Sequence, residues 1–211
     1  MEKLDFRTIE KEEEISSYLK KYESYVGSKL PLEYVKNSRV VGVFLHEQLV
    51  GGYMLVTKPG FRSVLFVPDA VKKEHEFFKN DDYEMMEVNG VWVGPALKTA
   101  KQNFTLWINL IKDMFMSKKK YVLLMGDARN KTIAHLHSLT NPEKLYEGAP
   151  TLTGGDTSHA NIRVSYTTRW NILLNVPRYW LEYKARERKL RRKVKNRTFA
   201  RTIKSGGAEL I

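Results

Sequence analysis

Two kinds of group in this 211-residue chain could do chemistry: backbone N–H groups at one strand-to-helix turn, and a few ionisable side chains around it. The turn reads Val93-Gly94-Pro95-Ala96-Leu97-Lys98. It follows an apolar run over 83–94 and precedes Thr99 and Gln102, a capping-box pair that opens a helix. Small residues there expose backbone N–H groups beside the positive end of a helix, a geometry that receives phosphate oxygens. Lys98 and Lys101 add charge. A second helix opens with Arg129-Asn130 and carries His135 and His137; two positions apart, these point to different faces and cannot easily share a metal. Glu84 and Glu87 lie on the strand before the turn.

Other familiar chemistry is missing. There is no GxxxxGK[ST], no strand-linked GxGxxG, no GxSxG and no HExxH. Asp156, Ser158 and His159 share one short loop, whereas hydrolytic triads draw on separate elements. The absence of cysteine excludes a disulfide framework, a thiolate metal site and a thiol nucleophile. No metal is expected.

The net charge of +12 is concentrated at the C-terminal end. From Lys184 to Ile211 there are eleven lysines and arginines against two acids, so the body is near neutral and the tail is a polycation. Such a segment attracts nucleic acid, anionic lipid or an acidic protein; the plain alternative is a solvated terminal helix. The N-terminus, MEKLDFRTIEKEEEIS, lacks the apolar core of a secretion signal, and no run of about 18 apolar residues exists. A cytoplasmic location is expected.

The elements that must position these groups follow from periodicity. Strands are expected over 3–9, 39–46, 49–57, 61–67, 83–94, 121–126, 143–147 and 161–176, the last bent near Trp170. Helices are expected over 10–22, 23–35 (broken near Gly27 and Pro31), 68–80, 99–117 and 129–139, with a basic helix after Pro177. The fold class is α+β: a mixed, mostly antiparallel sheet with helices on both faces. At its centre is a β-α-β unit formed by strand 83–94, helix 99–117 and strand 121–126. Residues 58–82 form an insert, read as an extra helix covering the sheet or as a lid. The division is a domain over 1–177 and a basic segment over 178–211.

This order, with Gly94 and Ala96 at the two small positions of the turn and Asn130 and Leu136 on the second helix, resembles the GNAT N-acyltransferase superfamily. The resemblance spans about residues 3–176. It implies that Gly94, Ala96, Lys98, Lys101 and Asn130 bind the phosphate end of an acyl-CoA. It also implies that Val91, Trp92 and Val93, opposite Tyr121–Leu124, present the strand edge along which the thioester lies. Glu87 takes the place of the family's general base, with Glu84 a weaker candidate. His137 stands where a tyrosine usually protonates the leaving thiolate. The donor is acyl-CoA, or an acyl-phosphopantetheine on an acidic carrier protein docked at Lys184–Lys204. The acceptor is an amine of a small molecule, a lysine side chain or a peptide; a homodimer is compatible with this.

Two further readings stand beside it. A nucleic-acid-binding protein would use the basic segment with Tyr179, Trp180 and Tyr183 as stacking surface. A membrane-surface protein would lay the same helix on anionic lipid.

Overall fold

The computed structural model describes residues 3–151, 160–189 and 192. Seven strands form one sheet in the order β1-β2-β3-β4-β5-β7-β6. β1 (Asp5–Ile9), β2 (Arg39–Leu45), β3 (Gln48–Val56) and β4 (Met85–Val93) pair in succession, each antiparallel to the one before it. β4 and β5 (Tyr121–Asp127) are parallel and are joined through α5 (Ala100–Met116). β7 (Ile162–Thr168) then runs antiparallel to both β5 and β6 (Glu143–Gly148). The mixed, mostly antiparallel sheet with its central β-α-β unit is thus present.

Alternation along the strands sends side chains to two helix-covered faces. Val40 and Met54 join α1 (Glu12–Val26) and α2 (Leu32–Lys36) through Tyr18, Tyr22 and Val35. Val41, Tyr53 and Leu55 join α5 through Leu110, Ile111 and Met114. α1 stops at Gly27, which takes a left-handed conformation and returns its N–H to the Glu23 carbonyl. Thr99 and Gln102 form the expected capping box at the start of α5.

One expected strand is helical, and another is a strand only in its first half. Residues 61–67 contain α3 (Arg62–Leu65), which buries Phe61, Phe66 and Val67 and leaves Leu65 half exposed. Its insert continues through α4 (Asp69–Glu74) and a 3-10 turn (Glu76–Lys79), and Phe77 stacks on Tyr166 of β7 at 4.1 Å. The insert therefore covers the sheet. The long expected strand over 161–176 ends at Thr168, whose hydroxyl accepts the Asn171 N–H and starts α7 (Arg169–Leu174). Thr168, a favoured N-cap residue, was the helix-start signal that the apolar run obscured.

A further helix, α8 (176–189), begins before Pro177. Trp180 and Tyr183 pack on Phe104 of α5, with ring centroids 5.3 and 4.9 Å away. Glu182 pairs with His135 of α6 (Lys131–Ser138) at 3.3 Å. The first part of the basic segment is thus fastened to the body, and the aromatic rings read as nucleic-acid stacking surface are spent partly on this packing. Lys193–Lys204, the rest of the expected docking segment, and the Asp156-Ser158-His159 loop lie outside the described residues, as do Leu190 and Arg191.

Candidate active site: a gap between two parallel strands

β4 and β5 pair only at Met85–Tyr121, Met86–Val122 and Glu87–Leu123. Beyond that point β5 keeps its pairing with β7 as far as Asp127, while β4 continues along β3. The two strands part over Val88–Val93 and Leu124–Asp127. The cause is local. Trp92 pairs with Gly52 and Asn89 with Met54, so Gly90 and Val91 together oppose Tyr53 alone, a bulge. Gly90 has φ +61°, and its carbonyl accepts the hydroxyl of fully buried Tyr18. A Cβ on Gly90 would lie 2.8 Å from the Met54 sulfur. Gly90 is a candidate functional position missed in the sequence, although an isolated Gly inside a strand pattern is a bulge signal.

Cavities open on both sides of this gap. One, of about 310 Å³, is apolar and lies beneath α5 and α6, with Val88, Val91, Leu124, Leu136, His137 and Tyr179 among its walls. The other, of about 370 Å³, lies toward α1 and α3 and includes Tyr22, Arg62, Asn89, Asp127 and Asn130. Tyr25, Val26, Val91 and Ile133 border both, so the two cavities adjoin at the gap. Tyr25 stacks on Trp92 at 5.3 Å along it.

Val91, Trp92 and Val93 line the first cavity. The turn after them is tighter than the expected anion cradle. Its N–H groups are largely consumed internally: Gly94 donates to Val50, Leu97 to Gly94, Lys98 to Ala96, Thr99 to the Gln102 side chain and Gln102 to the Thr99 hydroxyl. Pro95 has no N–H to give. Gly94 is needed for close approach, since a Cβ there would sit 2.7 Å from the Val50 carbonyl oxygen. The first turn of α5 still presents Ala100 and Lys101, whose N–H groups have no intrahelical acceptor. Lys98 and Ala100 border a third cavity of about 280 Å³, between α5 and α8, with Asn103, Tyr183 and Arg186. The Lys101 side chain is exposed and borders none of the three. Asn130 caps α6, its side-chain oxygen accepting the Thr132 and Ile133 N–H groups.

Glu87 occupies the expected place on the strand but is 0% exposed. Its carboxylate accepts the backbone N–H groups of Arg62 at 2.7 Å and Ser63 at 3.0 Å, where α3 begins. Asn89 and Tyr34 flank it. Burial raises its pKa against the pull of these donors. It borders neither cavity at the gap. Glu84 lies in a 3-10 turn before β4 and pairs with Lys120 at 3.4 Å. His137 borders the apolar cavity, and burial, helped by Arg163, lowers its pKa to about 4. His135 points the other way, to Glu182. No group of three metal-ligating side chains is found among the described residues.

The same overall fold is found in solved structures. FeeM, an N-acyl amino acid synthase from uncultured soil microbes, matches 82% of this chain and 94% of its own, at 12% identity and a TM-score of 0.58. A probable acetyltransferase of the GNAT family from Chromobacterium violaceum matches 81% and 90%, at 12% identity and a TM-score of 0.54. The ribosomal-protein-S18-alanine N-acetyltransferase of Escherichia coli matches 79% and 94%, at 6% identity and a TM-score of 0.55. The chain has the GNAT fold. No family model matches its sequence, and no curated protein does. The likeness lies in the backbone path of this GNAT fold rather than in residues shared along it. Among the described residues, no helix is long and apolar enough to cross a membrane.

Proposed function

We propose that this chain is an N-acyltransferase. The observation that carries the reading is the gap between β4 and β5, with adjoining cavities on its two sides. A thioester arm entering from the α5–α6 side would bring its carbonyl to the gap, and an amine in the opposite cavity would attack it. The amine nitrogen bonds to the carbonyl carbon and loses a proton, the C–S bond breaks, and the sulfur leaves as thiol. Holding the two reactants in line contributes about 7–11 kcal/mol to such a step in favourable cases.

His137 supports sulfur departure as a neutral hydrogen-bond donor. With its pKa near 4 it holds almost no proton to give at pH 7. The expected result is that His137→Phe lowers turnover by about 10-fold, in line with the loss of one hydrogen bond, and that kcat shows no step due to His137 between pH 5.5 and 8. A step near pH 6.5 that disappears in His137→Phe would assign it a titrating acid role instead.

The donor is an acyl group on the phosphopantetheine arm of an acidic carrier protein. Three features support this over acyl-CoA. α8 lies across α5 and α6, where a nucleotide end would emerge. The turn at 94–99 has few N–H groups left for a diphosphate. The basic C-terminal segment begins beside the small cavity at Lys98 and Arg186. Thiol release is measured with one acyl group presented on CoA and on carrier protein, against a panel of primary amines; the chain itself contributes no thiol background. Carrier-bound donor is expected to give a kcat/KM about 100-fold higher, with the advantage shrinking in high salt as a charge-steered encounter should. Equal or better use of acyl-CoA overturns the donor assignment. Thiol release from neither overturns the transferase reading.

A further inference from the structure

The cavity on the α1–α3 side contains one cation and one anion among its described walls, Arg62 and Asp127. The arginines elsewhere that meet carboxylates do so closely: Arg7 with Asp5 and Glu47, Arg39 with Asp113, Arg129 with Asp127, Arg163 with Glu147, Arg186 with Glu182. Arg62 has no carboxylate partner among the described residues. Its side chain is half-buried, gives one hydrogen bond to the Lys29 carbonyl at 3.3 Å, and lies with Cζ 5.6 Å from the centre of the Phe66 ring. Glu87, on the strand beside it, spends its oxygens on the backbone N–H groups of Arg62 and Ser63. A guanidinium carries five N–H donors in a fork that fits a carboxylate in two-point fashion. Most of that fork is unused, in the cavity where the acceptor would sit.

We infer that Arg62 anchors the carboxylate of the acceptor, so that the amine acylated is that of an apolar amino acid. This rests on the acyl-transfer reading for the identity of the cavity. Arg62 receives the carboxylate. Asp127, already holding Arg129, gives the same cavity a negative side for the ammonium before its proton is lost. Tyr22, Tyr25, Leu30, Phe66 and Ile162 supply an apolar wall for the side chain. A volume of about 370 Å³ suits a single small molecule. The backbone of Arg62 is fixed by Glu87, so the guanidinium is carried on a pinned turn.

Two measurements test this on the full chain, using L-phenylalanine and phenethylamine, which differ only by the carboxylate. In steady-state acyl transfer, the wild type is expected to favour phenylalanine by about 100-fold in kcat/KM, the size of a desolvated carboxylate–guanidinium contact. Arg62→Gln is expected to bring the two amines to parity, mainly by raising KM for phenylalanine, with donor KM and thermal stability unchanged; Arg62→Lys falls between. In equilibrium dialysis at millimolar ligand, wild type but not Arg62→Gln is expected to retain phenylalanine. Phenethylamine used as well as phenylalanine, or a preference unaltered in Arg62→Gln, overturns the anchor while leaving acyl transfer standing. Arg62-dependent binding of phenylalanine with no transfer from any thioester upholds the anchor and removes the transferase reading. Neither binding nor transfer removes both.

Discussion

Replacing Glu87 by alanine is expected to lower unfolding stability by about 4 kcal/mol. The side chain is completely enclosed and accepts two backbone N–H groups of α3. Removing it leaves both donors without a partner, at about 1–3 kcal/mol each, and leaves a void where the four heavy atoms beyond Cβ had been. Glu87→Gln preserves the volume but replaces one acceptor oxygen with an amide nitrogen that faces an N–H, so a loss of about 2 kcal/mol is expected. Urea denaturation at pH 7 measures both, read as a shift in midpoint at constant slope.

The pH dependence carries a definite sign. Burial raises the folded-state pKa of Glu87 above its ordinary value of 4.5. The folded chain therefore holds this proton more tightly than the unfolded one. The contribution of Glu87 is most favourable below pH 4.5 and falls as pH rises from there through the folded pKa, then stays level. The stability difference between wild type and Glu87→Gln should shrink over that window, since glutamine has no proton to lose. A difference that instead grows with pH would contradict a desolvated carboxyl group. These measurements also separate the two roles open to this residue. An anchor for α3 predicts lost stability and, through Arg62, a raised acceptor KM. A general base predicts a collapse of kcat with stability and KM intact, and that outcome would return the proton-accepting role expected from the sequence.

Glu87 illustrates what the sequence could convey. Its strand, the helix after it and the parallel strand that follows were legible because each is an apolar run of the right period bounded by a cap, a proline or a lysine run. The position of the carboxylate on β4 followed from that pattern. Its surroundings did not, because they depend on α3, a segment whose continuous apolar run, Val64 to Val67, mimics a buried strand. Once Arg62 and Ser63 were placed in an extended run, nothing pointed their N–H groups at a glutamate 24 or 25 residues away. The same dependence on distant partners hid the closed turn at Gly94. Its small residues suit either an anion or a neighbouring backbone, and only the approach of Val50 decides for the backbone. The basic helix was visible by charge, but its fastening to Phe104 and His135 was not, since aromatic residues near a polycation also suit a nucleic acid.

Gly90 provides the second large effect, and it tests the gap itself. Gly90→Val is expected to cost about 3–4 kcal/mol of stability and to reduce acyl transfer by more than about 100-fold. Two separate penalties converge on the position. A φ of +61° is strained for a β-branched residue. Even a bare Cβ would meet the Met54 sulfur at 2.8 Å and the Tyr18 hydroxyl at 3.0 Å, both in fully buried side chains with little freedom to give way. The chain can relieve both by straightening β4, which would shift the register against β3 by one residue and send every later side chain to the opposite face. Val91 and Val93 would then trade places with Trp92, breaking its stack with Tyr25 and filling the gap that separates the strands. Gly27→Ala is the matched control. Its φ of +75° is equally left-handed, but a Cβ there meets nothing within 4 Å. A loss of about 1 kcal/mol with turnover unchanged is expected for it. Equal catalytic damage from both substitutions would mean that general destabilisation, rather than closure between β4 and β5, had removed the activity.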